Sequence, residues 1–196
     1  MLEILLKRSF DSVQKNRKKI KEIILCSLFA ALIAAGAFIK IPVPVVPFTL
    51  QFLFTDMAGL LLGSRLGFIA VMSYIAVGLA GIPVFAHGGG INYVLQPSFG
   101  YLIGFAAGTF ITGKISEIFK NPSFKILMLA NVAGLLTVYA FGMIYYAFMS
   151  NFYLGDPIGL WPLFLYCFIL AIPGDIVLCF LSASLGNFLI PILREM

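Results

Sequence analysis

Charge is what this sequence has least of. Only 11% of its 196 residues are Asp, Glu, Lys or Arg and 61% are hydrophobic, whereas a soluble domain carries about a quarter of its residues as charges. That balance excludes an ordinary water-soluble fold and defines an integral membrane protein. Histidine is scarcer still: His87 is the only one, so two-histidine metal sites and His-Glu-x-x-His chemistry are excluded, and no metal is expected. Cys26, Cys167 and Cys179 stand inside apolar runs without Cys-x-x-Cys spacing, which argues against both disulfides and zinc. There is no Gly-x-Ser-x-Gly and no Gly-x-x-x-x-Gly-Lys-Ser/Thr, since Gly108 to Lys114 is followed by Ile115. A hydrolase nucleophile and a phosphate-cradling loop are therefore missing, no cofactor is expected, and the chain does not itself hydrolyse ATP. The formal net charge of +5 does not point to nucleic acid, because the basic residues cluster beside apolar runs where membrane topology accounts for them.

What is present is a series of long apolar segments. Residues 1–21 hold Lys7, Arg8, Lys15, Arg17, Lys18, Lys19 and Lys21 among spaced Leu, Ile, Phe and Val, and read as a cytoplasmic tail or surface helix on the anionic inner leaflet. Residues 22–196 read as an all-α membrane domain of six transmembrane helices. The first runs from about Ile23 to Ile39, and the second from Phe48 to Gly63 with Thr49, Gln51, Thr55 and Asp56 at its polar start. The third spans Leu66 to Leu79, the fourth Ser98 to about Ile111 and the fifth Ile126 to about Met149. Leu163 to Ile192 is too long for one untilted span and carries Pro173-Gly174, so it reads as a kinked sixth helix. Between the first two spans, Lys40 to Pro47 holds three prolines and reads as a stiff extended cap.

With six spans and both termini cytoplasmic, twelve of the 13 basic residues fall on the inner side and only Lys40 outside, as the positive-inside rule requires. A multi-pass protein of the cytoplasmic membrane is expected. Gly100, Gly104 and Gly108 form a close-packing stripe, and Ala30/Ala34 with Ala31/Ala35 make overlapping Ala-x-x-x-Ala pairs that serve either packing within the bundle or docking of a partner helix.

Three unusual segments converge on the outer side: the proline cap, the polar start of the second span, and the stretch from Gly81 to Phe105. In the last, Gly88, Gly89 and Gly90 allow close backbone approach, Asn92 and Gln96 offer amides, and Tyr93 and Tyr101 add aromatic surface with a hydroxyl. A binding site and a plain glycine turn with amides facing water both fit these residues. Asp175, in Ile-Pro-Gly-Asp-Ile, is an intramembrane acid. Either it belongs to a functional site or it caps the helix restarting after Pro173-Gly174. The chemistry available is that of a binder or carrier of a small polar solute.

Five motifs in order resemble the BioY family, the biotin-specific membrane component of energy-coupling factor transporters. They are Ile41 to Gln51, Gly59 to Gly67, Gly78 to Phe85, Pro97 to Phe105, and Pro173 to Asp175. The resemblance implies a six-helix component that captures biotin externally and docks through small residues of its first helix (here Ala30, Ala31, Ala34 and Ala35) onto a transmembrane coupling subunit carrying two ATPases. It further implies that Asp175 bonds the ureido ring and that Gly88, Gly89, Gly90 and Asn92 close over the ligand, with Gln51, Tyr93, Gln96 and Tyr101 around it. Some members place a lysine three residues after the aspartate and an arginine just after Gly-Tyr, both aimed at the biotin carboxylate. Here those positions are Leu178 and Leu102. Lys40 is the cation expected to replace them, with His87 the other external candidate. Lipoate or dethiobiotin is the alternative ligand. A structural, self-associating membrane protein built on the Ala and Gly stripes is the alternative of a different class.

Overall fold

In hydrocarbon a backbone must satisfy its own hydrogen bonds, and these apolar runs do so as helices. The computed structural model describes residues 2–41, 48–119 and 121–195, with side chains over 13–40, 49–119 and 121–193. Residues 42–47 of the expected proline cap lie outside the described residues. The basic tail and the first span form one continuous helix, α1 (Leu2–Phe38). The two-residue strands β1 (Lys40–Ile41) and β2 (Phe48–Thr49) pair antiparallel. They lead into α2 (Gln51–Leu79), followed by a 3-10 turn at Ile91–Leu95, α3 (Phe99–Ile118) and α4 (Phe124–Phe148), which runs on into a π-turn. After α5 (Leu160–Phe164) and a second π-turn (Leu165–Ile169) comes α6 (Ile172–Glu195).

Among the described residues, four stretches are long and apolar enough to cross a bilayer: Val13–Phe38, Gln51–Leu79, Phe124–Tyr153 and Leu160–Leu193. The second cannot be a single crossing rod. The Gln51 amide donates to the Tyr74 hydroxyl at 2.6 Å across 23 residues, which a straight helix at 1.5 Å per residue would hold about 34 Å apart. Gly63, with φ 83° and ψ 177°, reverses the chain. Residues 51–62 run parallel to α3, since Thr109 donates to the Thr55 carbonyl and Thr112 to Asp56. Residues 64–79 run antiparallel to it, with Ser64 beside Glu117 and Phe68 against Phe110. α2 is thus a helical hairpin, with its turn where Gly63 and Arg65 stand.

The glycine stripe of α3 lies on α4. A Cβ at Gly104 would stand 2.8 Å from the Val138 carbonyl, one at Gly108 2.8 Å from that of Gly134, and one at Gly100 would overlap Tyr145. α1 packs on α2, and α6 closes the bundle against α2 and α4. In the last run, the bend is a break at 170–171, after the π-turn and ahead of Pro173. Pro173 needs no kink because the first turn of a helix has no use for its missing N–H. Ile, Leu and Phe side chains crowd the outer faces, among them Ile24, Leu136, Ile144, Phe180 and Phe188, as expected of surfaces meeting lipid.

The hairpin turn is fixed from the side. Glu117 accepts from both the Ser64 N–H and the Ser64 hydroxyl, each at 2.8 Å, so an α3 carboxylate caps the second leg of α2. Gly63→Ala should destabilise the protein by about 1–3 kcal/mol, because its backbone conformation is essentially reserved for glycine and the new Cβ would strike Glu117. A lowered unfolding midpoint of the detergent-solubilised protein is the expected result.

Candidate ligand-binding site

A cleft opens between the start of α2, the loop after it, α3, α4 and the start of α6, with about 730 Å³ of empty space counted out to its mouth. Phe52, Leu102, Phe105, Leu135, Val138 and Ala171 supply apolar wall. Its polar groups fall into two sets by their place in the fold: Thr49, Gln51, His87, Tyr93 and Ser98 near the loop, and Tyr101, Tyr139, Tyr166 and Asp175 on the helical segments.

Asp175 occupies the first turn of α6, with its N–H bonded to the Ala171 carbonyl at 3.1 Å. Its side chain is 8% exposed, and Oδ2 accepts from the Tyr139 hydroxyl at 2.5 Å. Tyr139 is set on α4 one turn beyond Leu135, and its ring packs edge-on against Phe168 of the π-turn at 5.0 Å. Widened turns of this kind often accompany functional sites. On α3, Tyr101 is held by a 3.4 Å bond to the Cys167 carbonyl of the same π-turn.

The loop over the cleft is built by glycine. Gly81, Gly88 and Gly90 adopt φ of 108°, 110° and 99°. Phe85 and Gly88 exchange a pair of main-chain bonds, and the Gly90 N–H returns to the Gly78 carbonyl at 2.7 Å. Gly78 itself must lack a side chain because the Phe85 ring lies against it. That ring is buried between Tyr74 and Tyr93, at 5.4 and 4.5 Å. Burial pushes the Tyr93 hydroxyl above the ordinary phenolic range, so it stays neutral at physiological pH. Three side chains then tie down loop carbonyls: Lys40 Nζ to Ala86 at 3.1 Å, Tyr74 to Val84 at 3.1 Å, and Tyr145 to Val94.

Of the residues singled out in the sequence, Gln51, His87, Tyr93, Tyr101 and Asp175 line the cleft. Gln51 does so with its amide engaged at both ends, by the Thr49 hydroxyl at 3.2 Å and by Tyr74. Gly88, Gly89 and Gly90 shape the loop without lining the cleft. Asn92 and Gln96 are exposed on its outer side. Lys40 reaches the rim through Ala86, which does line it. Leu102 lines the cleft and Leu178 is buried in the main core, so neither position supplies a cation. Ala30 and Ala34 pack against that core, whereas Ala31 and Ala35 are exposed. Thr49, noted as part of the polar start of the second span, also lines the cleft, while sequence reasoning missed Tyr139, Tyr166 and Ser98. For Tyr139 the available signal was a hydroxyl placed well inside an apolar span rather than at its interfacial end.

Fold and cleft together define a class: a helical membrane protein with a preformed, largely apolar pocket that holds one buried carboxylate. Comparison with known proteins places it more finely. The sequence pattern of the BioY family matches residues 11–195, and the chain belongs to that family. A probable biotin transporter BioY of Lysinibacillus sphaericus is 44% identical over 173 residues, 88% of each chain. The biotin transporter BioY of Thermotoga maritima is 41% identical over 137 residues, 69% of this chain and 78% of that one. The fold is similar to a crystal structure at 2.1 Å of the S-component for biotin from an ECF-type ABC transporter. The TM-score is 0.78 at 29% identity, covering 92% of this chain and 94% of the other.

The loop ties predict a local effect. Tyr74→Phe removes one bond to Val84 and one to Gln51, interactions worth about 0.5–1.5 kcal/mol each. Amide exchange should rise over residues 82–95 and remain unchanged in α4, as hydrogen–deuterium exchange would report.

Proposed function

We propose that this chain is the membrane-embedded substrate-binding component of an energy-coupling factor importer and that it captures biotin. The observation that carries the reading is the buried Asp175, among the described residues the one carboxylate lining a largely apolar cleft in a chain of this family. A carboxylate is an acceptor for an N–H of a cyclic urea, and the aliphatic and aromatic wall suits the thioether ring and hydrocarbon tail.

In this reading the hairpin of α2 makes six membrane legs with α1, α3, α4 and the bent α5–α6 run, and both termini lie in the cytoplasm of a bacterial cell. The glycine loop and Lys40 then face outward. Ligand enters beneath the loop, which Gly88 to Gly90 shape and which carries Asn92 and Gln96. Lys40 takes the ligand carboxylate: it bonds the rim residue Ala86, and that partner is only a carbonyl. Gln51, Tyr93 and Tyr101 complete the lining. The exposed Ala31 and Ala35 of α1 offer a smooth face to a transmembrane coupling subunit, and two separate ATPase subunits supply the energy.

Thermal stabilisation of the purified protein by biotin, dethiobiotin and lipoate tests the ligand. Saturation at 100 times the dissociation constant should add about 2.7 kcal/mol. Biotin is expected to stabilise; a shift with lipoate alone would replace the substrate, and none with any acid would leave the family without this role. Asp175→Asn should weaken biotin more than lipoate, which has no ureido group. Lys40→Met should weaken biotin by about tenfold or more, the worth of a charge-assisted bond, and leave the neutral biotin amide little changed. Equal losses for acid and amide would remove Lys40 from the carboxylate.

A further inference from the structure

Asp175 meets the cleft already half engaged. Its Oδ2 is held by the Tyr139 hydroxyl at 2.5 Å, and Oδ1 has no donor among the described residues. A carboxylate on the first turn of a helix has free rotation about its own bonds unless a neighbour stops it. Here the stop is a phenol whose own position is over-determined: Tyr139 is 3% exposed, its ring is wedged against Phe168, and the adjacent Leu135 and Val138 also line the cleft. From these contacts we infer that Tyr139 is a positioning residue for ligand binding, clamping Asp175 so that Oδ1 alone is turned toward the ligand.

The consequence is chemical. The two N–H groups of a five-membered cyclic urea diverge, so a single carboxylate cannot take both. An acid with one oxygen fixed and one presented matches one such N–H, with no rotamer to freeze on binding. Because the Tyr139 hydroxyl spends its single proton on Oδ2, it cannot also donate to the ligand carbonyl. Tyr139 therefore acts through Asp175. The inference rests on the reading that biotin is the ligand.

A double-mutant cycle tests it. Labelled-biotin binding would be measured for the wild-type protein, Tyr139→Phe, Asp175→Asn and the double variant. The ligand-free unfolding midpoint of each serves as a folding control. Tyr139→Phe keeps the ring and its packing, and should weaken biotin by about tenfold, the scale of one hydrogen bond to a charged group, with the ligand-free midpoint nearly unchanged. The double variant should bind no more weakly than Asp175→Asn. Wild-type affinity in Tyr139→Phe overturns the inference, as does a double-variant loss equal to the product of the two single losses. Where Asp175→Asn binds too weakly to read, Tyr139→Phe alone decides. If the wild-type protein binds no biotin, it is the assigned ligand that fails, whereas binding by both wild type and Tyr139→Phe at equal strength sinks only the role of Tyr139.

Discussion

The structure depends on helix backbones being allowed to touch. Between helices in lipid there is no hydrophobic drive, since the solvent is as apolar as the side chains, so association rests on close packing and on hydrogen bonds that closeness permits. Glycine supplies the closeness. A Cβ at Gly59 would stand 2.7 Å from the Thr109 carbonyl, and one at Gly113 2.5 Å from the Ser64 nitrogen. Only at that separation can Thr109 reach the Thr55 carbonyl, and Thr112 reach both Asp56 and the Ala130 carbonyl, at 3.1 to 3.2 Å. The three helices are thereby locked in register, and α4 is presented to α6 so that the Asn131 amide meets the Cys179 carbonyl at 3.0 Å. The placement of Tyr139 opposite Asp175 follows from that register.

The cleft survives in such a tightly packed bundle because its roof is a loop rather than another helix. A glycine-rich loop has little side-chain bulk with which to fill the space beneath it, and its shape is imposed by ties from outside. Those ties come from β1, from α2 and from α4, so the roof reports on the mutual positions of three elements. Lys40 differs from the two tyrosines among these donors. A charge-assisted bond to a carboxylate is stronger than one to the Ala86 carbonyl, which is the ground on which the proposed reading gives Lys40 to the ligand.

Much of this was legible in the sequence, for identifiable reasons. Hydropathy marks helices because the bilayer forces them, and the return at Arg65 was marked by that single charge between apolar runs. The hairpin of α2 was read as two spans on that ground, and the Gln51–Tyr74 bond requires the same reversal. Asp175 stood out because an acid in an apolar run demands a reason. Tyr139 did not, since a tyrosine among apolar residues is an ordinary core residue until something 36 positions away in the chain is seen to meet its hydroxyl. Asn92 and Gln96 drew attention as polar groups in an unusual loop, yet their orientation is decided by positive φ at Gly88 and Gly90, which composition does not encode. The bend before α6 was placed at Pro173 because proline breaks helices. The π-turn upstream, which sets the break two residues earlier, has no sequence signature of that strength.

The two intramembrane acids show why position in the bundle, rather than residue type, separates binding from structure. Each has one oxygen held by a hydroxyl on a neighbouring helix, Asp56 by Thr112 and Asp175 by Tyr139. Asp56 is 2% exposed and faces the α2–α3–α4 junction, where Gly134 leaves room for it. It does not line the cleft. Asp175 sits in the first turn of α6, just after the turn residues 170–171, and lines the cleft. An acid closed in by helices on every side can only tie them together. The same acid at a helix start beside a loop roof has one oxygen without a donor among the described residues, which is the oxygen the proposed reading assigns to the ligand, and it follows the π-turn over Leu165–Ile169 by a few residues.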